Sequence, residues 1–239
     1  MANLLVVDLG LVPYADALTL QRDVARARIA GVIDDLLLLV EHPPVITLGR
    51  SSKEAHMLAT PEYLRERGVE LFEVERGGDV TFHGPGQLVG YPIVDLKQHR
   101  RDLHWYLRQV EQLLIDALQT FGLAGGRRPP YTGVWIEDRK IASIGVHARD
   151  WVTWHGFALN VTTDLRYFDL IVPCGIQAVT MTSVSGELPH ESITMPAVTG
   201  AVIGAAAATF ALTPRHITIQ ELTSAVDAAT ISAAGRVVR

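Results

Sequence analysis

The sequence contains one cysteine, Cys174, within the stretch Ile171-Val172-Pro173-Cys174-Gly175-Ile176. A thiolate is a strong nucleophile, so a lone cysteine with suitable neighbours can form a covalent intermediate. A free cysteine is also typical of a small apolar residue in a buried core. Pro173 favours an extended backbone before it, and Gly175 permits a sharp turn after it. This stretch therefore predicts a turn that presents the thiol, and its role depends on residues elsewhere.

A glycine-rich stretch comes earlier in the chain: Arg76-Gly77-Gly78-Asp79-Val80-Thr81-Phe82-His83-Gly84-Pro85-Gly86-Gln87. Glycine is costly to order, so such density indicates a backbone that turns tightly or approaches a ligand closely; two ordinary turns around a strand are the alternative. The stretch lacks the Gly-Lys-Ser/Thr ending and the Gly-x-Gly-x-x-Gly spacing of phosphate-binding loops. Alternation along a regular strand would place Arg76 and His83 on opposite faces.

Two further blocks combine polar groups with apolar strands: Lys140-Ile141-Ala142-Ser143-Ile144-Gly145 and Trp154-His155-Gly156-Phe157-Ala158-Leu159-Asn160. A lysine at the start of an apolar strand usually extends to solvent. It can also be held with few waters, where its charge acts strongly on a neighbour. Either role is open for Lys140 from this segment alone.

The elements that must position these blocks follow from hydrophobic spacing. Strands and helices mix without regular alternation, which favours an α/β fold of the α+β type with a mixed sheet flanked by helices. Residues 50–57 are polar and predict a surface loop. The predicted strands are 4–7, 35–40, 45–48, 69–74, 133–136 and 140–146, and the predicted helices are 14–30, 61–68, 103–121 and 195–210.

Composition limits the classes of protein that the chain can represent. The net charge of −5 and pI of about 6.0 do not indicate a nucleic-acid-binding surface. No signal peptide or membrane span is predicted, and a single cysteine suits a reducing cytoplasm. The histidines lack metal-ligand spacing, so we expect no metal or cofactor. We expect a monomer, with one catalytic domain over residues 1–214 and an extension over 215–239 that is loosely held from Ser224.

The four blocks occur in the same order as in the lipoyl/octanoyl transferases, and residues 1–212 resemble octanoyl-[acyl-carrier-protein]:protein N-octanoyltransferases. The resemblance implies the catalytic fold shared with biotin and lipoate protein ligases. It also implies transfer of an octanoyl group from octanoyl-acyl carrier protein to a lysine of lipoyl domains. Those domains belong to 2-oxoacid dehydrogenase complexes and the glycine cleavage H protein, and this transfer is the first step of protein lipoylation.

The resemblance also implies roles for single residues. Cys174 would be the acyl-thioester nucleophile and Lys140 the residue that activates it. Phe82 stands where tyrosine is common in the family, and His147 where arginine is frequent. The residues that would line the substrate are Arg76, Gly77, Gly78, Asp79, Val80, Thr81, Phe82, His83, Ser143, Ile144, Gly145, Gly156, Phe157 and Ala158.

This chemistry explains why such residues would be used together. A lysine ammonium beside the thiol favours the thiolate, and the lysine can act as general base once acylation removes the sulfur charge. We expect backbone N–H groups of Cys174-Gly175 and Gly77-Gly78 to stabilise the oxyanion. The acyl chain is expected in an apolar slot lined partly by Val80, Phe82 and Ile144.

Three alternatives remain open from the sequence. One is an ATP-dependent lipoate or octanoate protein ligase of the same fold. Another is a thioester hydrolase that pairs Cys174 with His83 or His155, and the third is a non-catalytic module that binds acyl carrier or lipoyl domains. The acidic partners of the family call for a local basic face, for which the candidates are Arg22, Arg26 and Arg28, or Arg100, Arg101 and Arg108.

Overall fold

The computed structural model describes the backbone of residues 2–236 and the side chains of residues 2–228. The described chain forms strands and helices in mixed order, with three short 3₁₀ turns (Glu54–His56, Leu165–Leu170 and Pro173–Gly175). The strands are β1 (Asn3–Leu11), β2 (Asp35–Glu41), β3 (Val45–Leu48), β4 (Glu70–Glu73), β5 (Val80–His83), β6 (Gln87–Ile93), β7 (Gly126–Arg128), β8 (Tyr131–Ile136), β9 (Arg139–Arg149), β10 (Val152–Asn160), β11 (Thr180–Met181) and β12 (Thr213–His216). The helices are α1 (Tyr14–Ile29), α2 (Pro61–Glu66), α3 (Leu103–Gln119), α4 (Val184–Glu187), α5 (Met195–Phe210) and α6 (Ile219–Arg236).

A large mixed sheet forms the centre of the fold, with the strand order β12-β1-β2-β6-β10-β9-β8-β7. Strand β1 runs parallel to β12 and β2, whereas β6, β10, β9 and β8 pair antiparallel with their neighbours. The short strand β11 adds to β9. This arrangement confirms the predicted α+β fold with a mixed sheet.

Helices cover both faces of the large sheet, and strand β2 shows why. Its leucine run is buried on both sides, as a central strand between two helical layers requires. Leu37 and Leu39 pack in the core cluster that contains α3 and α5. Leu36 and Leu38 pack in the cluster on the opposite face, which contains α1 and α6.

A second, three-stranded sheet in the order β4-β3-β5 lies beside the large one. Strand β5 presents Val80 and Phe82 to a separate apolar cluster with Ile46 and Phe168. The residues of β5 that alternate with these two face the opposite side of the strand, as the two-residue period of a strand requires. The space on that side, between the small and the large sheet, holds the cavity described below.

The end of the chain differs from the prediction of a loosely held tail from Ser224. Helix α6 occupies this region, and its residues Leu222 and Val226 are buried against α1 and the sheet. Thr218 and Glu221 form a reciprocal capping box at the start of α6, through bonds of 3.2 Å and 2.7 Å between each side chain and the other's backbone N–H. Residues 237–239 lie outside the described residues.

Candidate active site

Cys174 sits on a tight turn between the two sheets. The turn Pro173–Gly175 is one turn of 3₁₀ helix, in which Cys174 adopts a left-handed backbone with φ 56° and ψ 20°. Such a conformation is uncommon for a residue other than glycine, and strain of this kind is concentrated at functional sites. The Cys174 side chain is half-buried, so the prediction of a partly exposed thiol at a turn is confirmed.

Contacts from the loop over residues 50–57 hold this turn in place. The His56 carbonyl oxygen accepts a hydrogen bond from the Val172 N–H at 2.8 Å, and the His56 ring bonds to an Asp79 carboxylate oxygen at 2.7 Å. A Cβ at Gly175 would lie 2.5 Å from the same Asp79 oxygen, so only glycine fits there. The sequence offered no signal for His56, because its contact to Asp79 exists only in the folded chain.

Lys140 is fully buried rather than extended to solvent, with 0 % exposure. Its Nζ lies 5.6 Å from the centre of the Trp135 ring, which suits a cation–π contact. Gly133, with φ 141°, leaves room for the lysine: a Cβ there would lie 2.8 Å from the Lys140 Cε. Among the described residues, Lys140 has no carboxylate within salt-bridge distance.

The thiol and the amine meet as predicted. Lys140 Nζ lies 2.9 Å from Cys174 Sγ, and Ser143 Oγ lies 3.6 Å from the same sulfur. Burial alone would raise the pKa of the Cys174 thiol, but the charge and hydrogen bond of Lys140 outweigh it, with help from Ser143 and Arg76. The net effect holds the pKa of this thiol below its ordinary value and favours the thiolate.

The thiol opens into a cavity of about 250 Å³ between the two sheets. Most of the predicted substrate-lining residues come together on its walls, although they derive from three separate blocks of sequence. The predicted residues that line the cavity are Arg76, Gly78, Asp79, Thr81, His83, Ser143, Ile144, Gly145, Gly156, Phe157, Ala158 and Cys174.

Three predicted contacts require correction. Val80 and Phe82 lie on the far face of β5, in the core cluster of the small sheet, so they do not form the expected apolar slot. Gly77 does not line the cavity and donates its N–H to the Val146 carbonyl at 2.8 Å, so this N–H is not free for an oxyanion. The Gly175 N–H is likewise used, by the Val172 carbonyl at 2.9 Å.

Arg76 and His83 line the same cavity, contrary to the strand alternation predicted for them. Strand β5 begins only at Val80, so the residues from Arg76 to Asp79 are not bound by the strand period. Arg76 is 6 % exposed, and its guanidinium donates to Thr47 and to the Gly77 carbonyl oxygen. Within the described residues no carboxylate forms an ion pair with it.

The two histidines considered for a hydrolase do not contact the thiol. The Cys174 sulfur has hydrogen-bond partners only in Lys140 and Ser143 among the described side chains. His83 bonds instead to Gln87 through Nδ1 at 2.8 Å. His155 lies on the cavity wall with its Nε2 3.8 Å from Glu75, and burial lowers its pKa. A cysteine–histidine dyad is therefore not assembled.

The two residues that depart from the family pattern are also accounted for. Phe82 stacks on Tyr167 with ring centres 4.7 Å apart, which is an apolar contact that needs no hydroxyl. His147 packs edge-on against Trp154 with ring centres 4.3 Å apart, and burial lowers its pKa.

The first candidate basic face needs correction as well. Arg28 is buried and paired with Asp35 at 2.8 Å, so it does not present charge to a partner. Arg22 is engaged by Glu75 at 2.7 Å. Arg100, Arg101 and Arg108 of the second face are all exposed, although Arg100 pairs with Asp102 at 3.4 Å and Arg108 with Glu111 at 2.6 Å, and they remain candidates for a docking face.

No group of three or more His, Cys, Asp or Glu side chains in the described part of the chain is arranged to hold a metal ion. None of the described helices has the length and apolarity that crossing a membrane requires.

The fold is shared with lipoate–protein ligases of known structure. Lipoate-protein ligase A bound with ATP superposes with a TM-score of 0.71 at 18% identity, over 95% of this chain and 93% of that one. A bipartite lipoate protein ligase from Thermoplasma acidophilum superposes with a TM-score of 0.73 at 17% identity, over 95% of this chain and 91% of that one. At these identities the likeness concerns the fold alone.

Sequence relatives are much closer. An octanoyltransferase from Rubrobacter xylanophilus is 55% identical, over 76% of this chain and 82% of the relative. Octanoyltransferases from Solibacter usitatus (53% identical, 74% of this chain and 80% of the relative) and from a Roseiflexus species (47% identical, 90% of both) are similar over most of their lengths.

Residues 13–207 match the lipoyl protein ligase A/B catalytic domain, and the chain belongs to that family. Within the family its activity is that of an octanoyltransferase, the acyltransferase of protein lipoylation, as the resemblance predicted.

Proposed function

We propose that this octanoyltransferase works through a thioester on Cys174, taking the octanoyl group from octanoyl-acyl carrier protein and passing it to a lipoyl-domain lysine. The observation that carries the proposal is the 2.9 Å contact between Lys140 Nζ and Cys174 Sγ. A buried ammonium without a carboxylate partner is costly unless another anion balances it, and the thiolate supplies that charge. The neighbouring guanidinium of Arg76 acts in the same direction.

In the first half of the reaction the Cys174 thiolate attacks the carbonyl carbon of the carrier thioester. A new carbon–sulfur bond forms, the bond to the carrier sulfur breaks, and Lys140 gives its proton to the departing thiolate. The products are an octanoyl thioester on Cys174, a free carrier thiol and a neutral Lys140 amine.

In the second half the substrate lysine amine attacks the Cys174 thioester. Neutral Lys140 accepts the proton that the attacking nitrogen loses, an amide bond forms, and the carbon–sulfur bond breaks. This regenerates the thiolate and the ammonium together, so each half of the reaction prepares the proton state that the other half needs.

The oxyanion of each tetrahedral intermediate needs donors beside the sulfur. With the N–H groups of Gly77 and Gly175 already bonded, the N–H groups of Gly78 and Cys174 are the remaining donors of the two predicted segments. The Ser143 hydroxyl, 3.6 Å from Sγ, is a third candidate.

The acceptor and donor proteins are part of the same proposal. One structural neighbour was solved as a lipoylation system that includes an E2 lipoyl domain. We infer that lipoyl domains of 2-oxoacid dehydrogenase complexes and the glycine cleavage H protein are the acceptors here. The exposed Arg100 and Arg101 are the candidate docking residues for acidic partners, and charge reversal at both should slow transfer at low salt.

The covalent step can be tested by intact-mass measurement without ATP. The wild-type protein mixed with octanoyl-acyl carrier protein should gain the mass of one octanoyl group. A lipoyl domain added afterwards should remove that group from the protein, and the mass of the lipoyl domain should rise by the same amount. Cys174→Ala should show neither change, and Lys97→Met serves as a control for loss of a lysine elsewhere. Rapid transfer by Cys174→Ala would refute the thioester, whereas release of free octanoate without lipoyl-domain modification would favour hydrolysis.

A further inference from the structure

Ring side chains that no part of the mechanism uses line the cavity, one of them on β6, which lies across β10 from Ser143 and the thiol. Tyr14 from α1, His83 from β5 and Tyr91 from β6 line the cavity and are all buried. The rings of Tyr14 and His83 stack with centres 5.9 Å apart. His42 lies behind them, with its ring centre 5.2 Å from that of Tyr14 and 5.9 Å from that of His83.

Hydrogen bonds hold this group of rings in a defined arrangement. His42 donates from Nδ1 to the Val12 carbonyl oxygen at 2.7 Å, and its Nε2 accepts from the Tyr91 hydroxyl at 2.7 Å. His83 donates from Nδ1 to the Gln87 side-chain oxygen at 2.8 Å. These bonds fix the orientation of the His42, Tyr91 and His83 rings.

The wall is also uncharged at neutral pH. Burial lowers the pKa of His42 to about 4 and that of His83 to about 3. Burial raises the pKa of Tyr14 to about 12 and that of Tyr91 above its ordinary value. Neutral rings can border the end of a hydrocarbon chain without the desolvation cost that a charged group would bring.

The register of the sheet gives the backbone distance between Ser143, which contacts the thiol, and the strand that carries Tyr91. Ser143 on β9, which contacts the thiol, pairs with Ala158 on β10, and Ala158 pairs with Val89 on β6, beside Tyr91. Two strand spacings correspond to about 10 Å. An extended octanoyl chain measures about 9 Å from its carbonyl carbon to its methyl group, from seven carbon–carbon bonds.

We propose that Tyr14, His83 and Tyr91, braced by His42, form the end wall of the acyl site and set the length of the chain that the enzyme accepts. The inference rests on the proposed function, since it requires an acyl group on Cys174. It adds a specificity-determining role for Tyr14 and Tyr91, which lie outside the blocks that carry the family resemblance.

The test is a competition among acyl chains. Acyl carrier proteins that carry six-, eight-, ten-, twelve- and fourteen-carbon chains are mixed in equal amounts with the protein, and the adducts on Cys174 are resolved by intact mass. Tyr14→Leu should raise the share of ten-carbon adduct over eight-carbon adduct about 15-fold, since each added methylene that finds apolar space is worth about fourfold in binding. Tyr14→Phe keeps the ring and should keep the eight-carbon preference.

Further variants distinguish a failure of the proposed function from a failure of the end wall. Val89→Phe adds a ring just before the wall and should shift the preference to six carbons; it decides the question if Tyr14→Leu does not fold. Tyr63→Leu is a control for loss of a tyrosine at the surface. A wild-type protein without any adduct would refute the proposed function. Wild-type adducts together with unchanged profiles in both Tyr14→Leu and Val89→Phe would refute the end wall alone.

Discussion

Both ends of the cavity contain buried polar residues, but the two ends differ in how their charges are balanced. At the reaction end, Lys140 and Arg76 are buried cations without carboxylate partners among the described residues, and the thiol is the group that can balance them. At the wall end, His42 and Tyr91 bond to one another and stay neutral. A buried polar residue therefore indicates chemistry here only where its charge lacks a fixed partner.

The largest effect on this contrast between the two ends is expected when the cation at the reaction end is removed. Lys140→Met keeps the length of the side chain but not its charge, so the pKa of the Cys174 thiol should rise and the second half should lose its base. We expect transfer to fall about 10³-fold or more. The midpoint of the pH dependence of thiol alkylation should move to higher pH, because the thiolate is no longer stabilised. An unchanged alkylation profile would contradict the ion pair, and Lys97→Met is the matched surface control.

The neutral histidines of the wall should make the protein sensitive to acid. The pKa values of His42 and His83 are about 4 and about 3 in the folded protein, below the usual 6.5 of an unfolded chain. As the pH falls below 6.5, these two histidines become protonated in the unfolded chain but stay neutral in the folded protein. The stability that they contribute is therefore present above that pH and is lost below it. Each ring should cost about 2 kcal/mol of unfolding free energy between pH 7 and pH 5.

Urea unfolding at the two pH values measures this loss. Burial also lowers the pKa of His155 and His147, so His83→Asn should reduce the total loss by its own share of about 2 kcal/mol, whereas His190→Gln, at an exposed position, should leave the loss unchanged. A wild-type protein that is equally stable at both pH values would show that the wall histidines take up protons in the folded state, and the contrast between the two ends would disappear.

A smaller effect is expected where the backbone makes room for the lysine. Gly133→Ala places a methyl group 2.8 Å from the Lys140 Cε and 2.7 Å from the Ala142 carbonyl oxygen, at a φ of 141°. We expect a loss of about 2 to 3 kcal/mol in unfolding free energy, with slower acylation of Cys174. Gly204→Ala, in open space on helix α5, should instead stabilise the protein by about 0.5 to 1 kcal/mol. Equal effects of the two substitutions would contradict a special role for Gly133.

Much of the reaction end could be predicted from sequence, and much of the wall end could not. The pairing of Lys140 with Cys174 followed from blocks whose order resembles a known family. The strand period alone could not say which face of β5 meets the cavity, and the expectation of an apolar slot at Val80 and Phe82 chose the wrong face. Tyr14 reaches the cavity only because α1 packs on the sheet, and such long-range contacts leave no local pattern.

Two other features of the structure were not predicted from the sequence, for different reasons. His56 gives no local signal, since its bond to Asp79 joins residues 23 positions apart. The start of α6 could have been read from sequence, because Thr218 and Glu221 have the spacing of a capping box. The small and polar residues after Ser224 suggested a loosely held tail instead, although Leu222 and Val226 supply the buried face of a helix.

The smallest expected effect concerns a single hydroxyl of the wall. Tyr91→Phe keeps the ring that borders the cavity but removes the hydroxyl that donates to His42 Nε2 at 2.7 Å. The histidine nitrogen is then buried without a donor, which should cost about 1 to 2 kcal/mol of unfolding free energy at pH 7. Tyr63→Phe, at a half-exposed position, should cost close to nothing. Because a freed Nε2 can accept a proton, the loss should shrink as the pH falls. A constant penalty from pH 7 to pH 5 would show that His42 is held neutral by burial alone and that the Tyr91 bond braces the wall without setting its charge.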